Sequence, residues 1–156
     1  MLNAITSLYQ YSLLINSLIM KHLSKSRCEF ASERSELLLR NFRESLTIQS
    51  RISLKRAFHD AVNAPAPRFW VSEIRALRIV KAILNGDLEI LDSMRAEKQR
   101  MYLEIARRVK DMKASNPEMN LGDIVFTVVN SPAPSFYMTA DYARKLIVTA
   151  KKGKRI

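Results

Sequence analysis

Cysteine, glycine and proline are scarce in this sequence of 156 residues, and each shortage excludes a class of protein. The single cysteine, Cys28, excludes an intramolecular disulfide and favours a reducing, cytoplasmic compartment. His22 and His59 are the only other soft metal ligands, and their spacing is not that of a zinc site. Three glycines and five prolines, without long alternating runs, favour helices over a β-sandwich or barrel.

Motifs of catalysis are also missing from the sequence. It contains no Gly-rich phosphate loop, no HExxH and no GxSxG. His59 and Asp60 are adjacent within a predicted helix, so their side chains point to different faces and do not form an acid–base pair. We therefore expect no enzymatic activity, no cofactor and no metal.

Acidic residues are outnumbered by basic ones. The sequence has 15 Asp and Glu and 26 Lys and Arg, which gives a net charge of +11. The excess is concentrated at residues 21–60, with nine cations against five acids, and at residues 131–156, with six against one. Such a balance indicates a partner that carries phosphate, or an anionic membrane. Lys151, Lys152, Lys154 and Arg155 form a basic tail that either contacts phosphates or serves only solubility.

Residues 1–20 carry no charge at all. Their length approaches a membrane span, but polar residues such as Asn3, Gln10 and Asn16 dilute the apolar ones. A signal peptide has its positive charge before the apolar region, whereas here Lys21 follows it. We favour an amphipathic or partly disordered helix; the alternatives are a membrane anchor and a non-native extension upstream of Met20.

The rest of the chain repeats itself at an offset of 67 residues without a gap. Residues 62–80 align with residues 129–147, and seven of the nineteen pairs are identical, among them Phe69 and Phe136. Because this period is too long for a solenoid, the pattern indicates one duplication. We predict an all-α fold of two tandem, pseudo-equivalent three-helix units with an extra N-terminal segment.

The predicted boundaries follow from this repeat. They are an N-terminal helix or disordered extension at 1–28, a first unit at 29–86, a linker at 87–98 and a second unit with a basic tail at 99–156. Hydrophobic periodicity predicts helices at residues 33–47, 54–62, 72–84, 101–113, 121–129 and 139–150. Gly86 supplies the positive φ that ends the third of these helices.

Both units keep the same connector before their third helix. Two prolines spaced by one residue hold it extended, and an aromatic pair follows: Phe69-Trp70 in the first unit and Phe136-Tyr137 in the second. We expect Phe69 and Phe136 to be buried. The alternative makes Trp70 and Tyr137 exposed stacking surfaces for bases or for a peptide.

This PAPxF[WY] segment leads into a helix that Ser72 or Thr139 can cap. In this respect it resembles segments of small helical proteins from bacteria and mobile elements. The resemblance implies a bacterial or phage setting and no particular activity.

The helix after each connector carries basic residues on its predicted outer face. Helix, break and capped basic helix together resemble a helix-turn-helix, although the connector of about nine residues is longer than the usual turn. We predict a non-catalytic module that binds nucleic acid, most simply DNA. Its phosphate contacts would be Arg75, Arg78, Lys81, Arg144, Lys145, Lys151, Lys152, Lys154 and Arg155. The alternative is a helical protein-interaction or structural module; a membrane partner is not expected, and the oligomeric state stays open.

Overall fold

The computed structural model describes residues 30–48 and 53–153, and in this part of the chain the secondary structure is helical, without strands. Contacts between residues divide the chain into two compact parts, residues 1–34 and residues 35–156. In the first part the structure describes residues 30–34, which are the start of helix α1 (30–48). All other described residues belong to the second part. The prediction for residues 1–28, including the alternatives for residues 1–20, lies outside the described residues.

Five further helices follow α1, and the bounds of all but α4 lie within three residues of those that the periodicity predicts. They are α2 (Leu54–Asn63), α3 (Glu73–Leu84), α4 (Ala96–Ser115), α5 (Leu121–Val129) and α6 (Ala140–Gly153), with one 3₁₀ turn at Glu89–Leu91. The all-α prediction is confirmed for the described residues. The predicted linker at 87–98 is shorter in the structure, because α4 begins at Ala96.

The second helices of the two repeats begin at the same kind of cap. The Ser53 hydroxyl accepts a hydrogen bond from the Arg56 N–H at 3.2 Å, and the side-chain Oδ1 of Asn120 accepts one from the Asp123 N–H at 2.9 Å. Each bond satisfies an N–H group that has no partner inside its helix. Both helices then bury an apolar face, which comprises Ala57, Ala61 and Val62 in α2 and Ile124, Val125, Val128 and Val129 in α5.

The two connectors pair with each other. Ala66 and Ala133 form an isolated antiparallel bridge in which each N–H donates to the other residue's carbonyl at 2.9 Å. The Phe69 N–H donates to the Val129 carbonyl at 3.0 Å, and the Phe136 N–H donates to the Val62 carbonyl at 2.9 Å. Pairing of this kind satisfies backbone groups that proline-rich segments cannot satisfy within a helix.

Packing among the later helices crosses between the two repeats. Helix α3 packs against α4 and α5, and α6 packs against α2. No comparable packing joins α2 to α3 or α5 to α6 in the described part of the chain. Helices α3 and α6 therefore each pack against the part of the chain that aligns with the other segment of the 67-residue repeat. Phe69 and Phe136 are buried as predicted, at 1% and 2% exposure.

Candidate nucleic-acid interface

Helix α3 presents three of the predicted cations to solvent. Arg75, Arg78 and Lys81 are all exposed and recur every third residue, while Ile79 and Val80 are buried among the core residues of the opposite face. We call these three cations the α3 stripe. The spacing places them along one side of the helix over two turns, as the sequence predicted.

A buried tyrosine from α4 lies beside the first member of the α3 stripe. Tyr102 is 2% exposed, and the Arg75 and Arg78 side chains are near its hydroxyl. Burial raises the pKa of Tyr102, and the two arginines oppose that shift. Sequence reasoning missed Tyr102, because a buried aromatic on α4 carries no signal that it faces an arginine 27 residues earlier.

The α3 stripe has no carboxylate partner within the described residues. None of the salt bridges found there involves Arg75, Arg78 or Lys81. Helix α4 differs, since three of its six cations pair along the helix. Arg107 lies 2.9 Å from Glu104 and 3.0 Å from Asp111, Arg108 lies 2.7 Å from Glu104, and Arg100 lies 4.0 Å from Glu97. The arginines of α4 thus have carboxylate partners on their own helix, which the three cations of the α3 stripe do not have among the described residues.

Helix α6 presents a weaker version of the α3 stripe. The positions equivalent to Arg75, Arg78 and Lys81 are Tyr142, Lys145 and Val148, and all three are exposed. Arg144 is exposed as well. Lys151 and Lys152 lie within α6, but the structure does not describe their side chains. Lys154 and Arg155 lie outside the described residues. Helices α3 and α6 are not among the helix pairs that pack against each other in the described residues. Direct packing of the two helices therefore does not bring their cations together.

The alternative interpretation, in which Trp70 is an exposed stacking surface, is wrong. Trp70 is only 9% exposed and stacks on Phe136, with ring centroids 5.8 Å apart. Its indole N–H is buried without a hydrogen-bond partner in the described structure. The pairing of the connectors turns this ring inward, and an indole covered in this way cannot receive a base.

Tyr137 is half-buried and stands near charged groups of α4. Its ring lies 6.0 Å from the Phe69 ring, and its backbone has a positive φ of 50°, which is uncommon for a residue other than glycine. Burial and the nearby Glu104 raise the pKa of Tyr137, against the effect of Arg108 and other arginines. It is therefore not the open stacking platform that the sequence suggested.

Arg108 ties α4 to the second connector. It donates to the Pro132 carbonyl at 2.8 Å, and its guanidinium lies over the Phe69 ring at 5.2 Å from the centroid. At the equivalent position of the first repeat, Asn41 donates to the Ala61 carbonyl at 3.4 Å. Arg108 therefore joins α4 to the second connector, and Asn41 joins α1 to the end of α2.

The predicted helix-turn-helix is not formed within either repeat. In that motif the recognition helix packs on the helix just before it in sequence. Here α3 packs on α5 instead of α2, because the bridge between Ala66 and Ala133 carries each connector across to the other repeat. The α3 stripe is thus supported by α4 and α5.

The described residues form neither a metal cluster nor a membrane-spanning helix. Among them, no three His, Cys, Asp or Glu side chains are grouped closely enough to hold a metal ion. No helix in the same part of the chain combines the length and apolar character needed to cross a membrane. Comparison with protein-family models, with curated proteins and with solved structures gives no match.

Proposed function

We propose that this protein is a non-catalytic module that binds duplex DNA through the α3 stripe, with a smaller contribution from Arg144 and Lys145 on α6. The observation that carries the proposal is the difference between two neighbouring helices. The three arginines of α4 pair with carboxylates of their own helix, while Arg75, Arg78 and Lys81 are exposed and take part in none of the salt bridges found among the described residues. Exposed cations without a carboxylate partner are free to contact phosphates, whereas arginines held by carboxylates must first give up those partners.

We also propose that the chain arose by duplication of a three-helix unit. The gapless offset of 67 residues supports this, and so do contacts that recur at the same offset. Asn63 and Asn130, equivalent residues, each donate from the side-chain nitrogen to a carbonyl four residues earlier at 2.9 Å. The caps at Ser53 and Asn120 are equivalent in the same way. Duplication explains why a basic helix occurs twice.

Charge reversal on α3 tests the DNA proposal. Titration of the full chain against a labelled duplex should show affinity that falls steeply with salt, since each neutralised phosphate adds about 0.9 to the slope of log K against log salt. Arg78→Glu and Lys145→Glu should weaken binding and reduce that slope, Arg78→Glu by more.

The matched control is Lys110→Glu, which reverses an exposed cation on α4. It changes the net charge equally and should leave most of the affinity intact. Equal losses from the control and from Arg78→Glu would mean that only net charge matters. A parent protein without affinity for duplex DNA at low salt would overturn the proposal.

A second candidate function is binding of a protein partner, and one observation favours it. Ile74 on α3 and Phe126 on α5 are 64% and 53% exposed, on two helices that pack against each other. Glu73 and Asn130 join the ends of these helices by a hydrogen bond of 3.2 Å. Exposed large apolar side chains are a common feature of protein interfaces. If the DNA titration fails, Ile74 and Phe126 are the residues to change first.

A further inference from the structure

The contacts between the two repeats are reciprocal. Ala66 bonds to Ala133, which is its own equivalent at the offset of 67, and both N–H groups donate. Phe69 stacks with Tyr137 and Trp70 stacks with Phe136, which are the same two positions with the repeats exchanged. The helix pairs show the same exchange, since α3 packs on α5 and α6 packs on α2.

Reciprocity of this kind fixes the symmetry that relates the repeats. When residue i of one copy contacts j of the other and j contacts i, the copies are related by a twofold rotation. A translation, as in tandem arrays that read DNA in direct repeats, would bring different surfaces of the two copies together. The local axis therefore passes between Ala66 and Ala133, and it relates α3 to α6.

Duplex DNA has twofold symmetry of its own, perpendicular to the helix axis. Two DNA-contacting helices related by a twofold axis meet the two strands in equivalent ways only when the half-sites are inverted. For this reason symmetric dimers bind palindromic operators. Here the two DNA-contacting helices would be α3 and α6, which belong to one chain. On the basis of the proposed function, we infer that a single copy of this protein recognises an inverted pair of half-sites in duplex DNA.

The two half-sites should not contribute equally. The α3 stripe has three cations, whereas the equivalent positions on α6 hold Tyr142, Lys145 and Val148. Since cations at these positions supply the phosphate contacts, the half-site at α3 should provide most of the affinity. The half-site at α6 should mainly fix the orientation and the spacing.

Selection of duplexes from a random library with the full chain tests the inference. The enriched motif should be an imperfect inverted repeat, bound by one chain per duplex as measured by sedimentation or native mass spectrometry. Turning one half-site around, so that the repeat becomes direct, should weaken binding about tenfold or more, as misplacing several base pairs does. Lys145→Ala should reduce this sensitivity to orientation, while Arg78→Ala should lower the affinity for both arrangements.

The outcomes separate the inference from the function on which it rests. No binding of duplexes at low salt overturns both. Binding that enriches a direct repeat, a single half-site or no motif overturns the inference alone, and so does a requirement for two chains on each inverted repeat. Circular dichroism of each variant establishes that a loss of binding does not reflect unfolding.

Discussion

At the scale of single residues, the buried phenylalanines of the connectors carry the largest energetic consequence. Phe136 is 2% exposed, and its backbone N–H bonds to the Val62 carbonyl of the other repeat. Phe136→Ala should lower the free energy of unfolding by about 3–5 kcal/mol, because it removes buried apolar surface and leaves a cavity. Denaturant unfolding measures the loss.

Phe126→Ala is the matched control, because Phe126 is the same residue type at 53% exposure. Its cost should stay near the roughly 0.5 kcal/mol typical of surface positions. Equal effects of the two substitutions would show that Phe136 does not fill the core.

Glu104 links the stability of the fold to pH. Hydrogen bonds from Arg107 lower the pKa of Glu104, Arg108 adds to this, and partial burial opposes it. Because the folded-state pKa is below the unfolded one, the stabilisation is complete above the unfolded value and is lost as pH falls through the folded value. Glu104→Gln should therefore destabilise the protein at neutral pH, on the order of 1 kcal/mol, and flatten the loss of stability below the ordinary carboxyl pKa of 4.5.

Thermal unfolding at several pH values measures this effect. Glu118→Gln provides the control, since Glu118 is exposed and outside the salt bridges of the described residues. An unchanged pH profile in Glu104→Gln would show that the arginines do not stabilise the carboxylate.

Residue identity alone could predict burial of Phe69 and Phe136 but not of Trp70. The sequence places an aromatic pair after two prolines, and either member of the pair could face the core. The structure buries both members in the first repeat, because Trp70 stacks on Phe136 from the other connector. That contact joins residues 66 positions apart in the sequence, so no local sequence pattern predicts it.

At the scale of elements, periodicity and capping residues predicted most helix bounds. Helix α5 begins and ends as predicted, and Gly86 has the expected positive φ of 84°. It closes α3 with bonds from the Gly86 and Asp87 N–H groups to the Ile83 and Ala82 carbonyls. The start of α4 was missed because its first turn, residues 96–99, has no large apolar side chain. Gln99 fixes that turn by donating to the Leu91 and Met94 carbonyls.

The caps differ in strength in a way that the sequence does not reveal. Ser72 has the residue type of a good N-cap, yet its side chain makes no capping bond, whereas Asn120 makes one at 2.9 Å. Asn120→Ala should therefore cost about 1 kcal/mol, and Ser72→Ala clearly less. Chemical denaturation of the two variants side by side measures the difference. A larger loss for Ser72→Ala would mean that the hydroxyl caps α3 in solution.

At the scale of the whole molecule, the sequence predicted two similar halves but not how they share a core. The apolar stripe of a third helix can be buried by its own repeat or by the other one, and both arrangements satisfy the same periodicity. The decision comes from the connectors, whose prolines prevent a tight turn and whose backbone groups pair across the repeats. The same holds for the candidate site. The sequence predicted the three cations of the α3 stripe, but not that α3 packs against α4 and α5 or that Tyr102 lies near Arg75, because these contacts depend on the crossed packing.

Crossed packing predicts that the halves stay together when the chain between them is cut. A site for a specific protease, inserted between Asp87 and Leu88 where both residues are exposed, should be cleaved without unfolding the protein. The two fragments should then co-elute at the size of the intact chain and separate only in denaturant. The reason is that the partners of α3, helices α4 and α5, lie on the second fragment, while α2, the partner of α6, lies on the first. After separation, neither fragment should unfold cooperatively alone, because each lacks a helix of its core. Fragments that separate in native buffer, each with its own cooperative melt, would mean two independent domains and would contradict the shared core.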